Sequence, residues 1–199
     1  MKLSIVSIHY QSNELMNSLI TSFINDNTNY ELEFIIIDNS SDFSYKGSLP
    51  ITMICPGYNS GFARGVNAGL KNATGDLILV VNQDAFLFEK NTLNQLVDNY
   101  LKLPEKTIMS CKLVDENEQY QQSIWLDNPG IKRIWKFGAL HYKLFPKWKE
   151  HFDQETKQKH NFSGYVPRFN GAFFILKNDH NLKEAFFDED FFLYGEDVE

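Results

Sequence analysis

Apolar residues in this chain fall into short uninterrupted runs, separated by stretches with helical spacing. Leu3 to Ile8, Glu33 to Ile37, Ile51 to Cys55 and Leu77 to Val81 read as strands. Leu77 to Val81 is apolar at all five positions, three of them β-branched, as suits a central strand buried on both faces. Between these runs the period lengthens. Leu15, Met16, Leu19, Ile20 and Phe23 recur at helical spacing after Ser12 or Asn13, either of which can cap a helix. Phe62 to Lys71 is helix-like behind a turn at Asn59, Ser60 and Gly61, and Thr92 to Leu101 carries Leu93, Leu96, Val97 and Tyr100 on one face before Pro104. Lys106 to Val114 and Arg168 to Leu176 read as two further strands. The second holds Gly171 and Ala172 in its middle, and a glycine within a strand marks close approach of a ligand or another backbone. The alternation predicts an α/β fold: a mostly parallel central sheet with helices on both faces.

Composition narrows the class. A chain of 199 residues with 43% hydrophobic and 23% charged residues suits a single globular domain, 1–199. Its 26 acidic and 19 basic residues give a net charge of −7, which argues against a general nucleic-acid binder. Cys55 and Cys111 stand far apart with no metal-ligand spacing and lie in strand-like runs, so both are expected as reduced core residues of a cytoplasmic protein. The N-terminus MKLSIVSIHY is too short and too soon polar for a signal peptide, and no apolar run approaches the roughly 20 residues of a membrane span. Between Asp115 and Val166 the strand–helix pattern breaks down, and Trp125, Arg133, Trp135, Lys136, Tyr142, Lys147 and Trp148 make the stretch aromatic and basic. Two readings stand: aromatics packed on the sheet with lysines in water, or a surface for an acceptor or for anionic lipid at the membrane's inner face.

The candidate chemistry sits where strands end. Tyr10, Asp38 and the group Asn82, Gln83 and Asp84 close three of the predicted strands. In an open α/β sheet such carboxyl-end residues converge on one crevice, where ligands bind. Asp84 with Gln83 and Asn82 offers hard oxygen ligands of the kind Mg²⁺ or Mn²⁺ takes, the remaining positions going to water or diphosphate oxygens. An Asx turn leaving the sheet is the plainer reading of the same residues. There is no GxxxxGK[ST] loop, which excludes a P-loop NTPase, and no GxGxxG follows the first strand.

Five pieces, IVSIHYQS, FIIIDNSS, NSGFARGVNAGLKNATGDLILVVNQD, FNGAFFILKN and FDEDFFLYGEDVE, cover nearly the whole chain apart from about 115–166. In this order the sequence resembles a family 2 glycosyltransferase of the GT-A (Rossmann-like) fold, and within it the rhamnosyltransferase-like branch. The resemblance implies a nucleotide-binding half, 1–114, and an acceptor-binding and catalytic half, 115–199. Tyr10 and Asp38 would contact the nucleotide base and ribose, Asn67 and Gly69 would line the nucleotide pocket, and Gly171 and Ala172 would flank the donor sugar. Asp84, in the NQD that takes the place of a DxD-like motif, would hold the divalent cation, with Asn82 near the ribose or metal. Arg64 would either reach the donor or sit as a surface arginine on its helix. Asp197 in GEDVE would be the general base and Glu196 would shape the site or contact the acceptor.

The implied reaction is an inverting transfer from a nucleotide-diphosphate sugar, dTDP-rhamnose or a UDP-sugar, to a hydroxyl of a glycan or lipid-linked glycan in surface-polysaccharide synthesis. Relatives continue as a helix beyond the ED motif, whereas this sequence stops two residues after Asp197. The expectation is therefore a chain truncated at the C-terminus, or one that has lost part of its site. The competing expectation is a nucleotide-sugar-binding domain without turnover, and a third is an interaction protein using the aromatic-basic stretch.

Overall fold

The computed structural model describes residues 1–121, 123–125, 163–179 and 186–192. The expectations for Glu196, Asp197 and most of the aromatic-basic stretch lie outside these residues. The described chain forms two compact units. One comprises Met1–Ser110 with the described residues from Gly171 onward, and the other falls within Cys111–Asn170.

The first unit is built on a six-stranded sheet in the order β3-β2-β1-β4-β10-β5. Its strands are β1 (Lys2–His9), β2 (Glu31–Asp38), β3 (Ile51–Ile54), β4 (Leu77–Val81), β5 (Met109–Ser110) and β10 (Phe173–Lys177). β1 pairs in parallel with both β2 and β4, and β2 in parallel with β3. β10 runs antiparallel to β4 and β5, so it starts at the edge where β4 ends. All five residues of β4 are buried, as the continuous apolar run predicts for a strand covered on both faces.

Among the described residues this unit has three helices: α1 (Asn13–Ile24), α2 (Gly61–Asn72) and α3 (Thr92–Tyr100). The Ser12 hydroxyl accepts from the Leu15 amide at the start of α1, the capping expected of it. Phe23 of α1 meets Phe34 edge-on at 6.3 Å. α2 lies over Val6, Ile8 and Ile37. Side chains of a strand alternate between faces, so Phe34 and Ile37 place α1 and α2 on opposite sides. α3 takes its cap from a distant residue: buried Asp26 accepts from the Thr92 amide at 2.9 Å and the Leu93 amide at 3.0 Å.

Two expected strands divide. Over Lys106–Val114 the chain makes β5 and then β6 (Leu113–Val114), which pairs with β7 (Tyr120–Gln121) in the second unit. The cause is a turn: the Asp115 carboxylate accepts from the Asn117 and Gln119 amides and folds Leu113–Val114 back as a hairpin. Over Arg168–Leu176 the chain turns at Gly171 and Ala172, separating β9 (Arg168–Phe169), paired with β8 (Ile124–Trp125), from β10. The glycine interrupts the run rather than lying within a strand. The cysteine expectation also needs correction at one position. Cys55, just past the edge strand β3, is exposed, while burial pushes the half-buried Cys111 thiol up to about 11. Both thiols are free. Among the described residues no helix is long and apolar enough to cross a membrane.

Candidate functional site

The carboxyl edge of the parallel strands carries the polar residues expected there. His9 and Asp38 are register partners at the ends of β1 and β2. His9 Nδ1 lies 2.9 Å from Asp38 Oδ1, and both side chains are buried. The Asp38 carboxylate also accepts from the amides of Ser40, Ser41 and Phe43 at 3.1, 2.9 and 2.9 Å. Burial alone would raise its pKa, but the hydrogen bonds from His9, Phe43 and Ser40 outweigh this and hold it below the usual carboxylate range. Asp38 is 2% exposed, so what it does here is shape the 39–43 loop.

The neighbouring residue ties that loop to α2. The Asn39 amide oxygen accepts from the Ser60 hydroxyl at 2.8 Å and the Ser60 amide at 3.3 Å, while its nitrogen donates to Asn59 Oδ1 and the Gly61 carbonyl. Gly61 has φ +78°, and a Cβ there would collide with the Phe192 carbonyl, to which the Phe62 amide donates at 3.0 Å. A glycine is needed at the head of α2 on both counts.

β1 and β4 are joined at the same edge by Gln83. Its side-chain oxygen accepts from the Tyr10 amide at 3.0 Å and its nitrogen donates to the Tyr10 carbonyl at 2.9 Å. Gln83 is therefore spent on the protein and is not available as the oxygen ligand expected from the sequence. The Tyr10 ring is exposed, with its hydroxyl accepting from Gln11 Nε2 at 3.1 Å. Asn82 and Asp84 differ from Gln83. The Asn82 backbone is fixed, its amide donating to the Ala172 carbonyl at 2.8 Å, which brings Ala172 and Gly171 beside the end of β4. Neither the Asn82 amide group nor the exposed Asp84 carboxylate has a protein partner among the described residues.

Two expected pocket residues have other places. Gly69 faces the sheet, and a Cβ on it would collide with Val6 Cγ1, so its role is close helix–sheet packing rather than lining a ligand pocket. Asn67 is 1% exposed, and its side chain is saturated by the backbone of Phe186 and Phe187 and by Glu189. Arg64 turns to Glu189, donating Nε to its carbonyl at 3.2 Å.

A divalent cation has two places to consider. His9, Asp38 and Asp42 bring ligand atoms within 4.8 Å of one another. A cation there would displace the His9–Asp38 hydrogen bond and compete with three amides for the Asp38 carboxylate. Asp84 with the Asn82 side-chain oxygen offers hard oxygens that no protein donor occupies among the described residues, which fits Mg²⁺ or Mn²⁺ better; the Asn82 backbone carbonyl is taken by the Ala85 amide at 3.0 Å.

The model of one family, Glycosyl transferase family 2, matches residues 4–160. The chain belongs to that family. A search of curated proteins finds no significant match. Among solved structures, S. aureus TarS residues 1–349 in complex with UDP superposes with a TM-score of 0.64 at 18% identity, over 100% of this chain and 53% of that one. The mannosyltransferase PcManGT from Pyrobaculum calidifontis, in complex with GDP-Man and Mn²⁺, superposes with a TM-score of 0.59 at 16% identity, over 99% of this chain and 49% of that one. These likenesses establish a GT-A fold, as the sequence led us to expect. The chain spans about half the length of these two proteins.

The residues not anticipated as part of this glycosyltransferase edge are His9, Asn39 and Glu189, while Gln83, expected as an oxygen ligand, instead clamps Tyr10. His9 carried a signal, since a histidine ending an apolar strand opposite an aspartate on the next one is a natural pair. Asn39 gave none, because its partners in Asn59, Ser60 and Gly61 are brought near only by the fold.

Proposed function

We propose that this domain transfers a sugar from a nucleotide-diphosphate donor to a hydroxyl of a glycan or lipid-linked glycan, with inversion at the anomeric carbon. The observation that carries the proposal is the contrast at the carboxyl edge: among the described residues the Asn82 and Asp84 side-chain oxygens meet no protein donor, where the polar groups of Gln83, Asp38 and Asn39 are consumed by the protein. Tyr10 and the loop held by Asp38 would receive the base and ribose. Gly171 and Ala172, beside Asn82, would flank the donor sugar. Asp84, with Asn82, would hold Mg²⁺ or Mn²⁺ against the diphosphate. When bound, the cation supplies Lewis-acid stabilisation of the negative charge on the departing nucleoside diphosphate.

Asp197, with Glu196 beside it in sequence, would act on the acceptor. The acceptor oxygen forms a bond to the anomeric carbon as the bond from that carbon to the diphosphate oxygen breaks. The acceptor proton passes to the Asp197 carboxylate. The donor is dTDP-rhamnose or a UDP-sugar, and the setting is surface-polysaccharide synthesis at the inner face of the cytoplasmic membrane. The experiment is a transfer assay with each donor in Mn²⁺ or Mg²⁺, comparing the chain with Asp197→Asn. Transfer that Asp197→Asn lowers by about 100- to 10,000-fold is expected. Unchanged transfer would remove the base assignment, and donor binding without turnover would favour a nucleotide-sugar-binding domain instead.

A further inference from the structure

The face of α2 turned away from Gly65 and Gly69 grips a second segment of chain, Phe186–Phe192, at successive points. Asn67 spends its whole hydrogen-bonding capacity there. Its Oδ1 accepts from the amides of Phe186 and Phe187, both at 3.0 Å, and its Nδ2 donates to the Phe187 carbonyl at 2.8 Å and to Glu189 Oε1 at 3.1 Å. One turn earlier, Arg64 Nε donates to the Glu189 carbonyl, and at the helix head the Phe62 amide donates to the Phe192 carbonyl. The rings of Phe186 and Phe187 stand edge-on at 4.8 Å, and each also meets Phe174 of β10, at 6.0 and 6.2 Å. A buried amide with two consecutive backbone amides on one oxygen fixes both position and direction of the chain that leaves it.

We infer that Asn67 is a positioning residue for the acceptor chemistry: it anchors the segment from which Glu196 and Asp197 emerge. This rests on the proposed role of Asp197. Asp197 follows Phe192 by five positions, so its Cα lies within about 18 Å of the Phe192 Cα. A shift of about 1 Å at reacting groups can cost about 100-fold in rate, so a loosened anchor is felt at the base. Asn67 itself touches neither donor nor acceptor in this account.

The test uses Asn67→Asp in the full chain. That change keeps an oxygen for the two amides but sets a carboxylate against the Phe187 carbonyl and Glu189. Amide hydrogen exchange across Phe186–Phe192 should speed by at least about tenfold, with β1 and β4 unchanged. With donor and Mn²⁺, kcat should fall about 10- to 100-fold while the affinity for UDP or dTDP, measured by calorimetry, stays within about twofold. In the Asp197→Asn background the same substitution should add almost nothing, since both act on one step. Unchanged exchange, unchanged kcat, nucleotide affinity falling in step with kcat, or independent effects of the two substitutions would each overturn the inference. If Asn67→Asp does not fold, Arg64→Gln should give the same split at smaller size, and its failure to do so counts equally against the anchor. Full transfer by Asp197→Asn alone defeats instead the reading on which the inference rests. A chain that binds donor without turnover does the same, and exchange then decides the anchor alone.

Discussion

At the amino edge of the sheet, Glu33 is enclosed by donors, whereas at the carboxyl edge Asp84 faces none among the described residues. Glu33 accepts from the Ser4 hydroxyl at 2.5 Å, the Thr74 amide and hydroxyl at 2.9 and 2.7 Å, and Lys2 Nζ at 2.9 Å. The Ser4 hydroxyl accepts in turn from the Gly75 amide, and Asp76 accepts from the Lys2 amide. Burial would raise the Glu33 pKa, but these hydrogen bonds more than offset it and bring it down to about 2. The two edges use similar residues for different ends. A carboxylate whose lone pairs are all met by the protein stabilises the fold, and one left with free oxygens can bind something else.

Breaking the open edge should have the largest effect on function and little on folding. Asp84→Ala is expected to lower metal-dependent transfer by at least about 100-fold, with the melting temperature nearly unchanged, as for an exposed side chain without partners. Parallel assays and thermal melts check both halves.

Breaking the closed edge should do the reverse. Glu33→Gln is expected to cost on the order of 2–3 kcal/mol by denaturant titration while leaving nucleotide affinity alone. The pH dependence follows from the same residue. Its folded pKa of about 2 lies below the ordinary 4.5, so its stabilisation is complete above about pH 4.5 and is lost as the pH falls towards 2. Stability measured from pH 6 down to 3 should drop by up to about 1.4 kcal/mol per pH unit more in the parent than in Glu33→Gln.

Two smaller effects sharpen the contrast. Gly69→Ala should destabilise by about 1–3 kcal/mol, because the added methyl collides with Val6 beneath α2. Gln83→Ala should cost about 1 kcal/mol and weaken nucleotide binding several-fold, since it frees Tyr10 from the end of β4. Denaturant titration and calorimetry read these effects.

Much of the fold was legible because its signals are local. β4 falls over Leu77–Val81 as the apolar run predicts, and Ser12 caps α1. Lys106–Val114 divides because the Asp115 turn that draws its end into a hairpin outweighs its strand propensity. At the carboxyl edge, Asp38, Asn82 and Asp84 could be placed from strand ends alone. What Asn67 and Gln83 do could not be, since their partners lie 120 and 73 positions away along the chain and are mostly backbone groups that any residue would supply. For Gly69 the family resemblance implies a pocket position, whereas the fold turns it against Val6 of the sheet.

The central claim is that the free oxygens of Asp84 and Asn82 hold a divalent cation on the donor's diphosphate. Calorimetric titration of UDP into the chain, with and without Mn²⁺, tests it most directly when repeated on Asp84→Ala. Mn²⁺ is expected to tighten UDP binding at least about tenfold in the parent and to have no effect in Asp84→Ala. An equal Mn²⁺ effect in both proteins would contradict it.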